Sequence, residues 1–242
     1  VYLELPTNPL LRVVDLEAVR RAAPSDAVII MDATFATPIN IQPLSRGADL
    51  VVHSATKYLA GHHDVLAGVV SGNGDLIERV WRMRKLVGPT LDPSAAYRLI
   101  RGLETLALRV ERQNHTAMKL ACDLEQHPRV RRVIHPSLDS HPDSIVARRL
   151  MTGFGGVLSL EVEGGQSGAC RVIDHVTQLK RAASLGGVCS LITWPAGVTH
   201  VGLSEKERQD AGIAPGLLRL ALGIEPIETL YNDLINALDR TV

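Results

Sequence analysis

Two short apolar runs constrain the fold of this chain more than any other feature of its sequence. They extend from Ala27 to Met31 and from Ala48 to Val52, and a connection punctuated by proline and glycine separates them. Runs of this length predict buried strands of an α/β sheet, and Gly68 to Ser71 is a candidate third strand. The first part of the chain is therefore expected to contain a largely buried sheet.

Polar side chains follow both apolar runs at the points where the strands are predicted to end. Asp32 follows the first run, and Ser54, Thr56 and Lys57 follow the second. Ligands of α/β proteins usually bind beyond the carboxyl ends of the strands, so we expect these side chains to face one crevice.

The chemistry of the second group points to a small ligand. Hydroxyls and backbone amides at a strand end suit a phosphate group, and a desolvated amine such as Lys57 can attack a carbonyl carbon. The alternative for such a short motif is a solvated surface lysine beside a turn. The nearby His62, His63 and Asp64 cannot easily complete a tetrahedral site, so we expect no metal.

Helical periodicity organises the rest of the chain. Asp15 is placed to cap a helix that ends at Ala23, and apolar residues at helical spacing from Pro93 to Leu124 predict one long helix. Alternating strands and helices follow, and a final helix begins after Pro226. We therefore predict two domains, residues 1–107 as the later part of an α/β domain and residues 108–242 as an α+β domain.

The charge balance narrows the class of partner. The 26 Lys and Arg residues offset the 26 Asp and Glu residues, so no basic excess would draw the chain to nucleic acid or to an anionic membrane. No apolar run approaches the roughly 20 residues that span a bilayer. The three cysteines lack CxxC spacing and are expected to be reduced thiols. A small-molecule partner and a cytoplasmic location are the expectations.

The first residues carry a separate expectation. Val1 to Pro9 is typical of the inside of a folded element, without an initiator methionine or a polar lead-in. This pattern predicts that further polypeptide lies upstream in a longer protein.

Several motifs together resemble the Cys/Met-metabolism enzymes that depend on pyridoxal 5′-phosphate (PLP). This family includes cystathionine γ-synthase, cystathionine β- and γ-lyases and methionine γ-lyase. The segments that carry the resemblance run nearly end to end: Pro6-Thr7-Asn8-Pro9, Asp32-Ala33-Thr34-Phe35, Ser54-Ala55-Thr56-Lys57-Tyr58, Arg101-Gly102-Leu103-Glu104, Ser184-Leu185-Gly186-Gly187 and Leu218-Arg219-Leu220.

The resemblance implies a role for each residue of the candidate site. Lys57 would hold PLP as a Schiff base, and Asp32 would pair with the pyridine nitrogen. Ser54 and Thr56 would contact the phosphate group, and Asn8 would contact the ring oxygen. Arg219 and the segment that begins at Ser184 would hold the substrate's α-carboxylate.

The resemblance also implies a fold and an activity. The fold would be the PLP-dependent transferase fold, fold type I, similar to aspartate aminotransferase, with only part of the large domain present and an α+β C-terminal domain. The activity would be that of a carbon–sulfur lyase that uses β- or γ-elimination, and the assembly would be a homotetramer formed as a dimer of dimers. Two alternatives are a cystathionine γ-synthase and a non-catalytic fragment of a larger assembly.

The family's upstream portion supplies further cofactor contacts, among them a phosphate loop and a tyrosine stacked on the ring. Without them, phosphate anchoring would depend mainly on Ser54 and Thr56. Weak PLP binding by residues 1–242 alone is therefore predicted.

Overall fold

The first half of the chain is built on a four-stranded sheet. In the computed structural model, which describes residues 1–240, this sheet has the order β1-β2-β3-β4. The first three strands are parallel and the fourth is antiparallel, so the carboxyl ends of the first three lie at one edge. The strands are β1 (Tyr2–Glu4), β2 (Ile30–Asp32), β3 (Leu50–Ser54) and β4 (Gly68–Gly72).

Strand β2, which lies in the first apolar run, begins later than the sequence predicts. Ala27 closes a turn with the Pro24 carbonyl, and the backbone N–H of Ile29 donates to an Asp49 carboxylate oxygen at 2.7 Å. These bonds take the start of the run out of the sheet, so β2 pairs with its neighbours only from Ile30.

Helices flank the sheet. As predicted, Asp15 caps the first of them, because its carboxylate accepts a bond from the Ala18 N–H at 3.1 Å. The helices of this half are α1 (Leu16–Ala22), α2 (Thr37–Asn40), α3 (Gly74–Val87), α4 (Pro93–Glu104) and α5 (Leu106–Leu124). The structure adds α3, which the sequence analysis did not predict.

The single long helix predicted from Pro93 to Leu124 is wrong, because it is interrupted at Thr105. The Thr105 N–H bonds to the Leu103 carbonyl, so the regular hydrogen-bond ladder stops there. The Gly102 carbonyl instead accepts a bond from the Arg109 guanidinium at 2.6 Å. A buried arginine in the following helix thus takes over a helical acceptor, which periodicity alone does not reveal.

The second half is built on a five-stranded sheet of order β5-β6-β9-β8-β7. All neighbouring pairs are antiparallel except β7 and β8. Its strands are β5 (Val130–Ile134), β6 (Val157–Val162), β7 (Lys180–Arg181), β8 (Leu191–Thr193) and β9 (Leu217–Ala221). Its helices are α6 (Ser144–Leu150), α7 (Gly165–His175), α8 (Glu205–Asp210) and α9 (Ile227–Asp239).

Helix α5 contributes to two hydrophobic clusters, and the first of them combines residues of both halves of the chain. Leu106 and Val110 belong to a cluster with Tyr58 and Leu59, next to Lys57. Leu120 and Leu124, two turns and more along the helix, belong to the cluster under the five-stranded sheet. The predicted domain boundary between residues 107 and 108 falls within the first turn of α5 and stays a prediction.

Within residues 1–240, none of the helices combines the length and the hydropathy that a bilayer crossing would require.

The close approach of α4 to the loop after Lys57 generates a stability prediction. A Cβ atom on Gly102 would lie 2.8 Å from the Leu59 carbonyl oxygen and closer still to that of Ala60. We expect Gly102→Ala to lower the free energy of unfolding by about 1–3 kcal/mol, because backbone must shift to relieve the overlap. Urea unfolding followed by circular dichroism measures the change.

Gly74, the first residue of α3, is the matched control. No atom would lie within 4 Å of an added Cβ there. Gly74→Ala is expected to leave stability unchanged or to raise it by up to about 1 kcal/mol. Equal losses in both variants would contradict the close-packing explanation.

Candidate active site

The candidate site begins at the edge where the parallel strands end. Asp32 is the last residue of β2 and Ser54 is the last residue of β3. Together with Thr56 they line an open cleft of about 720 Å³ that also borders β4 and α3. The parallel direction of β2 and β3 therefore places these predicted residues along one cavity.

Two donors hold the Asp32 carboxylate. Its Oδ1 accepts the Thr34 backbone N–H at 2.9 Å, and its Oδ2 accepts the Tyr2 hydroxyl at 3.1 Å. The Asp32 charge also acts on the His53 ring of β3. Burial lowers the pKa of His53, and the negative charge of Asp32 opposes that shift. The carboxylate is thus fixed in orientation at the strand end.

The two hydroxyl residues differ in their bonding. The Thr56 hydroxyl forms hydrogen bonds with the backbone of Ala67, to the N–H at 3.0 Å and to the carbonyl at 3.3 Å. For Ser54 it is the backbone N–H that bonds, to the Thr34 hydroxyl at 2.8 Å. Both residues border the cleft, and their contact with a phosphate group stays a prediction.

Lys57 lies at the turn that follows β3. Its backbone N–H donates to the Ser54 carbonyl at 3.1 Å, and its Nζ reaches the Ser184 hydroxyl at 3.1 Å. Burial, and then the positive charge of Arg219, lower the pKa of the Lys57 amine. A larger fraction of this amine is therefore neutral near physiological pH than for an exposed lysine.

Arg219 is the central residue of β9 and is only 2% exposed. Its Nη1 donates to the Asn8 side-chain oxygen at 2.9 Å, and its Nη2 donates to the Ala183 and Ser184 carbonyls at 2.6 and 3.0 Å. Burial lowers the pKa of Arg219 to about 10, so it remains charged at neutral pH. Its Nε has no hydrogen-bond partner among the described residues.

The structure arranges the predicted residues in two groups. Lys57 and Arg219 both bond to Ser184, and Arg219 also bonds to Asn8. Asp32 lies along the neighbouring cleft with Ser54 and Thr56. The groups meet at the turn from Ser54 to Lys57.

Sequence reasoning gave no role in this site to several residues that the structure places around it. Tyr2 donates to Asp32, and His63 packs its ring against Gly187, where an added Cβ would overlap it. Arg109 and Gln113 of α5 bond to the backbone next to Lys57 and to that of Gly187. The available signal in the sequence was the position of Arg109 and Gln113, two polar residues at helical spacing within the apolar stripe of α5.

The described residues contain no group of three His, Cys, Asp or Glu side chains that could hold a metal ion.

Comparisons with known proteins identify relatives across the whole described chain. The sequence profile of the family described as "Cys/Met metabolism PLP-dependent enzyme" matches residues 1–239. Cystathionine gamma-synthase 1, chloroplastic, from Nicotiana tabacum is 44% identical over 239 residues, which cover 98% of this chain and 44% of that protein. L-methionine gamma-lyase from Fusobacterium nucleatum subsp. polymorphum is 40% identical over 99% of this chain and 62% of that protein.

Solved structures show the same fold. Cystathionine gamma synthase from Xanthomonas oryzae pv. oryzae, in complex with aminoacrylate and cysteine, superposes with a TM-score of 0.96 at 41% identity. Cystathione gamma lyase from Micromonospora echinospora gives a TM-score of 0.94, also at 41% identity.

These matches cover nearly all of this chain but 63% of each of those solved chains. The predicted fold class is therefore confirmed, with part of the fold represented. By sequence and by structure, the chain belongs to the Cys/Met metabolism family of PLP-dependent enzymes.

Proposed function

We propose that this chain forms part of a PLP-dependent carbon–sulfur lyase that acts on a sulfur-containing amino acid by β- or γ-elimination. One observation carries the proposal. The half-buried Lys57 amine, its pKa lowered by burial and by Arg219, contacts Ser184 in the segment that Arg219 also holds. An amine in this setting suits a reactive nucleophile and base better than a surface lysine does.

The residues present fit PLP by the chemistry of their donors and acceptors. The Asp32 carboxylate suits a protonated pyridine nitrogen, and it borders the same cleft as Ser54 and Thr56. Lys57 follows within three residues of Ser54, as a primary amine for an aldehyde. When bound, PLP would draw electrons away from the α-carbon of an amino-acid substrate.

The chain's own residues would divide the work. Asp32 would keep the ring nitrogen protonated, because a carboxylate favours the charged form of a neighbouring base. Lys57 Nζ, once neutral and free, would take the proton from the substrate's α-carbon and deliver a proton to a neighbouring position. Ser184, at 3.1 Å from Nζ, would orient that amine.

Arg219 would bind the substrate's α-carboxylate. Its Nη bonds go to neutral oxygens, and its buried Nε has no partner among residues 1–240. A carboxylate is a stronger acceptor for a guanidinium than a carbonyl or an amide oxygen is. Binding there would satisfy a buried donor and fix the substrate's orientation.

A cystathionine γ-synthase is the second candidate, in which a thiol would replace the leaving group. Its support is that the tobacco and Xanthomonas relatives, at 44% and 41% identity, carry that name. A third candidate is a non-catalytic role within a larger assembly, which the PLP-labelling experiment below tests.

The assembly and the location belong to the same proposal. A homotetramer formed as a dimer of dimers follows from the family resemblance, as does weak PLP binding by residues 1–242 alone. A cytoplasmic location is carried over from the sequence as part of the proposal, whereas the tobacco relative is described as chloroplastic.

Borohydride reduction tests the role of Lys57. When PLP is added to the purified chain and reduced, we expect a cofactor-labelled peptide that contains Lys57, because the amine with the lowered pKa reacts preferentially. Lys57→Ala should remove this label and so lower the total labelling of the chain, because it removes the amine whose pKa is lowered by burial. Peptide mass spectrometry locates the label.

Lys206, which is exposed in α8, is the control position. Lys206→Ala should leave the Lys57 label unchanged. A chain that stays colourless even with PLP in large excess, or a label spread evenly over the lysines, would support the non-catalytic candidate instead.

Separate substrates distinguish the two enzymatic candidates. Cystathionine, methionine, cysteine and an activated homoserine would each be supplied with PLP, and keto acid would be measured by derivatisation. Keto acid formed without added thiol is the expected result, because elimination releases it together with ammonia. Product that forms only when activated homoserine and a thiol are both present would favour the γ-synthase.

A further inference from the structure

We propose that Arg109 and Gln113 of helix α5 are positioning residues that hold the Lys57 loop and the Ser184–Gly187 loop against each other. The Lys57 loop is defined here as Lys57 to Gly61. The proposal rests on the proposed function, since it explains how the chain brings Lys57 Nζ to Ser184.

The two side chains lie one turn apart on the same face of α5 and are buried, with exposures of 5% and 0%. Arg109 Nη1 donates to the Tyr58 carbonyl at 2.8 Å, next to Lys57 in the chain. Gln113 Nε2 donates to the Gly187 carbonyl at 2.8 Å, at the end of the other loop. One rigid helix thus bonds to both loops.

Arg109 is fully committed to this arrangement. Its Nη2 donates to the Gly102 carbonyl and its Nε donates to the Thr105 hydroxyl, at 2.6 and 3.0 Å. A Cβ atom on Gly61 would overlap the guanidinium, so the Lys57 loop passes directly over it. A planar fork of donors fixes direction as well as distance, which a flexible side chain would not.

The side-chain amide of Gln113 provides a hydrogen bond to Gly187 that packing of the core alone does not require. Its Oε1 is buried without a hydrogen-bond partner among the described residues, although an unsatisfied buried acceptor costs about 1–3 kcal/mol. An apolar side chain of similar volume would avoid that cost. The bond to Gly187 is what the amide adds at this position.

The two loops are also in direct contact. The Val188 N–H donates to the Gly61 carbonyl at 3.0 Å, and an added Cβ on Gly186 would lie 2.6 Å from the Tyr58 nitrogen. Nothing bulkier than glycine fits between the loops there. A small displacement of either loop would therefore separate Lys57 Nζ from Ser184.

The pH dependence of Lys57 acylation in the cofactor-free chain tests this proposal. Acetic anhydride pulses between pH 6 and 11 would be followed by peptide mass spectrometry, with exposed Lys206 as the internal reference. In Gln113→Met we expect the Lys57 inflection to rise toward the ordinary value of about 10.4, because the displaced amine becomes better hydrated.

Thr116→Val is the matched control on the same helix. Thr116 is 0% exposed and its hydroxyl is likewise without a partner among the described residues. It bonds to neither loop, so the Lys57 inflection should stay in place. Equal shifts in Gln113→Met and Thr116→Val would overturn the proposal, as would an unchanged inflection in Gln113→Met.

Arg109 provides a second pair of variants, which keeps the test decisive if Gln113→Met does not fold. Arg109→Lys retains a cationic donor for the Tyr58 carbonyl and should shift the inflection less than Arg109→Met does. Equal shifts would reduce Arg109 to a packing role. The acylation experiment needs no PLP. A failure of the positioning role is therefore distinguishable from a failure of the proposed function.

Discussion

The geometry of this site depends on one buried guanidinium. Arg219 lies in the middle of the five-stranded sheet and bonds to Asn8, in the loop that follows the first strand of the other sheet. The two residues are 211 positions apart in sequence. A buried charge without compensating bonds is strongly destabilising, so the chain must bring these segments together to keep Arg219 satisfied. A second bond from Arg219, to the Ser184 carbonyl, holds the Ser184 segment where its hydroxyl reaches Lys57.

Much of the fold follows from local features of the sequence. The Asp15 cap, the strand at Leu50–Ser54 and the final helix that begins after Pro226 are indicated by capping chemistry and hydrophobic periodicity. The break at Thr105 is not, because it depends on a side chain in the next helix that takes the Gly102 carbonyl. Helix α3 also escapes prediction, since it has no buried residues.

The candidate site divides in a similar way. The strand-end residues Asp32 and Ser54 could be grouped from sequence, because parallel strands end at a common edge. Arg219 and Ser184 were reachable only through the family resemblance, since they are more than 120 residues from Lys57. Tyr2 and Gln113 belong to no motif named from the sequence, and His63 was considered there only as a metal ligand. The folded chain is what shows the contacts of these three side chains.

Helix α5 has a consequence for how the molecule loses its structure. It contributes Leu106 and Val110 to the cluster beside Lys57, and Leu120 and Leu124 to the cluster under the five-stranded sheet. Melting either end would remove apolar partners from one of these clusters, and the helix hydrogen bonds would transmit that loss toward the other cluster. The packing of the Lys57 loop is therefore coupled to the packing around Leu120 and Leu124, and substitutions far from any ligand can loosen both together.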